Sequence, residues 1–281
     1  MCGADHRRGC WQNGRVSSYF LRLSETSFTP TEHVGGAWNE DEQHVSPLFG
    51  LLAHIVQTDH ARRRPDAPLV LARASYDILG VIPMAEFDVE TRVVRPGRTI
   101  ELVEATLSQN GRSALTLRAW MLQAGDTAAL AGSPLPVMPG RAEVDGPGFD
   151  EVWPGGAVRS VEMRRQRLEA GRARCWLRPR VPILADEQIS ARARLLGATD
   201  FANGIATRVA PEEALYPNVD LTASLFREPV GEWIGLDTSV AFGADGTGLT
   251  ETILNDEQGP LGTSSQTLTI RPRWRAPFIG S

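Results

Sequence analysis

The order of landmarks in this chain occurs twice. Residues around 70–122 and around 216–270 run through the same succession of strand, proline, aromatic-led strand, Gly-containing turn, strand, Gly turn and strand. In the first copy the landmarks are Tyr76–Leu79, Pro83, Phe87, Pro96-Gly97-Arg98, Thr99–Leu107, Asn110-Gly111 and Ser113–Leu122. In the second they are Leu221–Phe226, Pro229, Trp233, Asp245-Gly246, Gly248–Leu254, Gln258-Gly259 and Thr263–Ile270. The copies lie about 146 to 149 positions apart, far beyond the roughly 20–50 residues of a solenoid repeat, so they mark a duplicated domain. With the segments upstream of each copy they fill nearly all of the 281 residues, which predicts one pseudo-symmetric body of two subdomains.

Periodicity places the elements. From Glu40 to Ala61 the chain opens on acids and then spaces Leu48, Leu51, Leu52, Ile55 and Val56 as one buried face of a helix, with Asn39 as its expected cap. Arg62-Arg63-Arg64 complements the helix dipole and Pro65 ends it. Strands are expected at about 69–79, 85–95, 98–109 and 112–123, and Asn110-Gly111 between two of them is a hairpin signal. Residues 125–156, rich in Gly, Pro and Ala, read as a linker. The second half predicts strands at about 157–167 and 172–178, a helix at about 186–200 opening on Asp186-Glu187, and strands at about 204–209, 216–227, 232–242, 247–256 and 260–271. The expected architecture is α+β: a helix wrapped by an antiparallel sheet, twice, over residues 19–124 and 157–273, with a leader at 1–18 and a tail at 274–281.

Composition removes several classes of function. All 29 basic residues are Arg, so Walker-type phosphate cradles and Schiff-base chemistry have no lysine to use. A net charge of −5 speaks against nucleic-acid partners, which require a basic face to displace counterions. No apolar run reaches the 18 or more residues of a membrane span, and Met1 to Ser18 has no apolar signal core, so a cytoplasmic location is expected. Cys2, Cys10 and Cys175 are too few and scattered for a disulfide framework or metal cluster, and the histidines offer no metal spacing. Neither a metal nor an organic cofactor is expected.

Several stretches resemble the double-hotdog acyl-CoA thioesterases, the type II group and its actinobacterial thioesterase-like relatives. They are Phe28-Thr29-Pro30-Thr31 through Trp38, His44-Val45-Ser46-Pro47-Leu48-Phe49-Gly50-Leu51-Leu52, Trp176-Leu177-Arg178, and Asp200-Phe201-Ala202-Asn203-Gly204. Asn218-Val219-Asp220, Arg227-Glu228-Pro229, Glu232-Trp233 and Gly262 through Arg271 complete the series, which covers most of residues 19 to 271. The resemblance implies two hotdog folds with continuous sheets, a long helix in each concave face, an acyl tunnel between subdomains, and assembly into a homo-oligomer. It also implies hydrolysis of an acyl-CoA by water activated by an Asp, a Ser or Thr, and a Gln of the C-terminal hotdog.

Carried onto this chain, the resemblance puts the Asp at Asp220 and the Gln at Gln266. Counting without a gap from Glu232-Trp233 puts Ala241 where the hydroxyl belongs, with Thr238 and Ser239 two to three residues earlier as substitutes. His44, Ser46 and Gly50 are the expected substrate contacts, at a place where hotdog enzymes often carry His-Gly-Gly. Asp77 and Asp200 are secondary acids, His54 and His60 packing or surface residues, and Arg73, Arg95, Arg98 and Arg227 possible phosphate ligands. All five histidines lie within the first 60 residues, which weighs against a hotdog hydratase. Two rival readings are a non-catalytic acyl-thioester binding protein with a degenerate site and a hotdog enzyme of a biosynthetic pathway.

Overall fold

The computed structural model describes residues 17–146 and 153–273. Most of the leader, with Cys2 and Cys10, and the tail from 274 lie outside the described residues. The first half contains β1 (Phe20–Arg22), β2 (Ser27–Pro30), helix α1 (Val45–Arg63), β3 (Val70–Ile78), β4 (Phe87–Arg95), β5 (Ile100–Gln109) and β6 (Arg112–Leu122). A single helical turn, α2 (Gly156–Arg159), leads into the second half. There follow β7 (Val161–Glu169), β8 (Arg172–Pro179), α3 (Ala191–Leu196), α4 (Phe201–Ile205), β9 (Ala214–Leu215), β10 (Asp220–Leu225), β11 (Ile234–Phe242), β12 (Thr247–Asp256), β13 (Gly259–Thr269) and β14 (Arg271–Pro272).

Twelve strands form one antiparallel sheet in the order β1-β2-β4-β5-β6-β3-β10-β13-β12-β11-β8-β7, and β9 pairs with β14 apart from it. Read outward from the central β3–β10 pair, both halves have the same connectivity. At the centre Thr222 lies opposite Ser75, 147 positions earlier, and their hydroxyls hydrogen-bond at 2.7 Å. A pseudo-two-fold axis passes between them. The inward residues of the strands, such as Leu71, Tyr76, Leu117, Leu221 and Leu268, are fully or almost fully buried against the helices. The two halves of this single sheet repeat the same strand order, as the duplication predicts.

Helix α1 crosses α3 on the same axis, where Gly50 meets Gly197, again 147 positions apart. A Cβ on Gly50 would come within 2.6 Å of Ile183 Cδ1, 2.8 Å of the Ala193 carbonyl and 2.9 Å of Gly197 Cα. Two of these neighbours are backbone atoms and cannot turn aside. Gly50→Ala is therefore expected to destabilise the fold by about 1–3 kcal/mol, read as a lowered denaturation midpoint at unchanged m-value. Gly50 is thus a packing contact between α1 and the end of α3.

Local structure departs from periodicity at informative places. Helix α1 starts at Val45, capped by His44 rather than Asn39. The Asn39 side chain instead accepts from the Asp41 N–H, and residues 42 and 43 are spent on bridges to Pro83 and Gly35. In the second half Ser190 caps α3, because Glu187 is tied to Arg22 and His54 of the first half. The expected long helix there is broken. After Leu196 the chain tightens into i to i−3 turns, Ala198 N–H to Leu195 and Thr199 N–H to Leu196, the second reinforced by the Thr199 hydroxyl. Residues 201–205 then form α4, where a strand from 204 was expected. The Gly- and Pro-rich linker is partly a cover: Met138 and Val144 are buried with Trp176 and Trp233, and Trp176 Nε1–H donates to the Pro139 carbonyl at 2.9 Å. No helix among the described residues is long and apolar enough to cross a membrane.

Candidate active site

A cavity of about 310 Å3 opens where the two halves meet. The first half lines it with residues 36–39, 42–45 and the loop after β3, and the second with Trp153, the start of α4 and residues 217–219. Gly36 of its lining is closely approached by the Gly155 backbone. There φ is +112°, and a Cβ would lie 2.5 Å from the Gly36 carbonyl oxygen, so only glycine fits.

Asp200 is the centre of the site. The tight turn after Leu196 delivers it to the entry of α4 with only 8% of its surface exposed. Its Oδ1 accepts from Asn218 Nδ2 at 2.7 Å and from Gln266 Nε2 at 2.8 Å. Its Oδ2 faces His44 Nδ1 at 3.7 Å, too long for a hydrogen bond. One carboxylate oxygen is held by two amides, and the other is available to a ligand.

Each partner is placed by the sheet. Gln266 lies on β13, where alternation turns Ser264, Gln266 and Leu268 inward. Asn218 depends on a bulge: Thr222 pairs with Ser265, yet Asn218 bridges Leu268, so the β10 side carries one extra residue. Both Asn218 and Leu221 can then face inward although an odd number of residues separates them from strict alternation. The same irregularity occurs in β3, where Leu71 pairs with Met121 and Arg73 with Trp120.

Electrostatics suit proton transfer. Burial pushes the Asp200 carboxyl up to about 6, against the pull of the Asn218 and Gln266 amides. Burial lowers His44 to about 4, so this imidazole is neutral at pH 7. Its Nδ1 accepts the Ser46 N–H at 3.1 Å, which leaves the ring proton on Nε2. Its ring lies 4.9 Å from that of Phe201.

The expected pairing of Asp220 with Gln266 is corrected by the structure. Asp220 precedes inward-facing Leu221, and its carboxylate accepts the Thr267 backbone N–H at 2.6 Å on the exposed side of the sheet. Gln266 points to the other side and meets Asp200. Thr238 faces inward but is two strands away on β11, hydrogen-bonded to Thr252 at 3.0 Å, while Ser239 and Ala241 are exposed. Neither the Thr238 nor the Ser239 hydroxyl joins the carboxylate. Of the expected substrate contacts His44 lines the cavity, whereas the Ser46 hydroxyl donates to the Gly197 carbonyl at 3.0 Å and ties α1 to α3. Arg227 is committed to Asp256 through both terminal nitrogens and does not face the cavity.

The site occurs once. Displaced by the 147 positions that separate Ser75 from Thr222, the counterparts of Asp200, Asn218 and Gln266 are Ala53, Leu71 and Ala119, all fully buried and apolar. Among the described residues, this set of one carboxylate and two amides has no polar counterpart at the symmetry-related positions of the first half. Among the described residues no cluster of three or more His, Cys, Asp or Glu side chains is arranged to hold a metal ion.

Residues 34–122 match the family model of the acyl-CoA thioesterase N-terminal domain, and residues 133–270 match that of the acyl-CoA thioesterase C-terminal domain. The chain belongs to the acyl-CoA thioesterase family. It is a thioester hydrolase with the double-hotdog fold. Among solved structures it is similar to a candidate thioesterase from Novosphingobium aromaticivorans, with TM-score 0.68, 16% identity, and 89% of this chain and 98% of that one covered. A hot dog fold protein from Alicyclobacillus acidocaldarius gives TM-score 0.67 and 15% identity over 91% and 96% of the chains. The acyl-CoA thioesterase II of Mycobacterium marinum gives 0.61 and 17% over 90% and 96%. Comparison with curated protein sequences found no match. At these identities the likenesses between structures concern the fold.

Proposed function

We propose that this thioesterase hydrolyses an acyl-CoA with a water molecule activated by Asp200, the carboxylate being oriented by Asn218 and Gln266. The observation that carries this reading is the convergence of both amides on one oxygen of a buried acid at a cavity wall. Asp200 Oδ2 takes a proton from water as the water oxygen bonds to the thioester carbonyl carbon. Collapse of the tetrahedral intermediate breaks the carbon–sulfur bond, and the departing thiolate recovers that proton from Asp200. The products are the free acid and coenzyme A, with no covalent enzyme intermediate.

In this reading Asp200, Asn218 and Gln266 stand for the Asp, hydroxyl residue and Gln implied by the family resemblance, with a carboxamide in place of the hydroxyl. A carboxamide N–H donates to a carboxylate as a hydroxyl does, so Asn218 supplies the same support. The developing oxyanion is met from the first half. Pro47 has no N–H and the Ser46 N–H is taken by His44, so the first-turn donors at the positive end of α1 reduce to the Val45 amide, joined by the His44 Nε2–H.

Free-thiol release from an acyl-CoA panel tests the assignment. Turnover is expected with the wild-type chain and with Asp220→Asn, and is expected to fall at least 10³-fold in Asp200→Asn. Loss of turnover in Asp220→Asn with retention in Asp200→Asn would overturn it.

A further inference from the structure

The carboxamide of Gln266 is fixed at one end. Its Nε2 donates to Asp200 at 2.8 Å, while its Oε1 is buried without a hydrogen-bond partner among the described residues. Oxygen and nitrogen exchange places when a carboxamide turns over, and a turned Gln266 would set Oε1 against Asp200 Oδ1, one acceptor facing another. A donor at Oε1 would hold the productive orientation, and the cross-strand neighbour carries one. Thr250 on β12 lies directly opposite Gln266. Side chains of directly opposed residues share one face of the sheet, with Cβ atoms about 4.5–5.5 Å apart. Both residues are almost fully buried, and the Thr250 hydroxyl is likewise without a partner among the described residues. Its other direct neighbour, Val240 on β11, has no polar side-chain atom, and Thr252, the next inward residue of β12, is bonded to Thr238. Gln266 is left as the partner. In the first half, 147 positions earlier, the same two places are Val103 and Ala119, also directly paired and fully buried. The framework thus packs without a hydroxyl at that place, and the hydroxyl occurs in the half that holds the buried carboxylate.

From this geometry we infer that Thr250 is a positioning residue: its hydroxyl supplies the hydrogen bond, directly or through one buried water, that fixes Gln266 Oε1 and so keeps Nε2 on Asp200. Its consequence for turnover rests on the function proposed above, whereas its effect on the acid rests on the hydrogen bonds alone. A carboxylate that loses a donor for part of the time is harder to ionise, so removal of the hydroxyl raises the titration of Asp200. Among the described residues His44 is the titratable side chain that faces Asp200, and burial keeps it uncharged through the range of that titration.

Thr250→Val removes the hydroxyl at nearly constant size and matches the residue at the symmetry-related position, while Thr250→Ser keeps the hydroxyl. The midpoint of the Asp200 carboxyl, read by carbon NMR without any turnover, and the kcat/KM profile against pH are measured for both. In Thr250→Val the midpoint is expected to rise by roughly half a pH unit, less than in Gln266→Ala, and the kcat/KM plateau to fall about 3–10-fold. Thr250→Ser is expected to return both to wild-type behaviour. In a Gln266→Ala background Thr250→Val should move the midpoint no further, since the two residues act through one contact. If Thr250→Val does not fold, Thr250→Ala serves the same comparison. An unchanged midpoint in a folded variant, whatever its melting temperature, would overturn the inference, as would a Thr250→Ser protein that behaves like Thr250→Val or a full shift in the absence of Gln266. A raised midpoint in a chain that hydrolyses no acyl-CoA would leave the orienting role of Thr250 standing and sink the proposed function instead.

Discussion

Asp200→Asn is expected to abolish turnover and, at the same time, to make the protein more stable above pH 6. The two effects share one cause. A carboxyl held at about 6 by burial is uncharged in the fold at low pH, where it costs little, and is charged and poorly solvated above that point. Unfolding returns it to water and to an ordinary value of 3.8. Between those two values the native state holds more protons than the unfolded state, so the contribution to stability is full below 3.8 and is lost as the pH rises through 6. At pH 8 the loss is on the order of 2–3 kcal/mol. An asparagine keeps the oxygen that accepts from Asn218 and Gln266 and replaces only Oδ2, which has no short hydrogen bond to lose. Thermal denaturation should therefore show a melting temperature raised by several degrees at pH 8, with the difference shrinking as the pH falls from 6 toward 4. A variant less stable than the wild-type chain at pH 8 would mean that the charge is better compensated than its burial indicates.

Removing either amide should displace the pH profile as well as slow the reaction. Asn218 and Gln266 both stabilise the ionised form of Asp200, so Asn218→Ala or Gln266→Ala raises its titration further. Hydrogen bonds to a charged group contribute about 1.5–3 kcal/mol, so a rise of roughly one unit or more is expected for each. The wild-type kcat/KM should climb with pH through about 6, since the base must be ionised to accept a proton, and then level off. In each variant the climb moves to higher pH, and the plateau falls about 10²-fold because the carboxylate is no longer oriented. A residue with a merely structural role would lower the plateau without moving the midpoint. A double variant whose midpoint equals that of either single variant would show that one amide alone sets the acid.

Strands β3 to β6 and β10 to β13 follow from alternation and Gly-containing turns within a residue or two at most ends, and the 147-residue offset first glimpsed as repeated landmarks is the symmetry of the sheet. Gln266 lies on a strand whose alternation alone turns it inward. Asp200 was visible as an acid beside the Asn203-Gly204 turn, but not as the centre of the site, because helical periodicity carries one helix straight through Gly197. The helix ends at Gly197, which packs against Gly50 147 positions away, and the tight turns that follow deliver the carboxylate. Asn218 was hidden for another reason. A one-residue bulge reverses which face a side chain takes, and it is set by pairing with Leu268 fifty positions on. Local pattern was thus sufficient for the duplicated framework, whose elements are stabilised by neighbours close in sequence. The site was decided by the assembled fold, because a buried carboxylate can be held only where strands and helices distant in sequence bring donors to it.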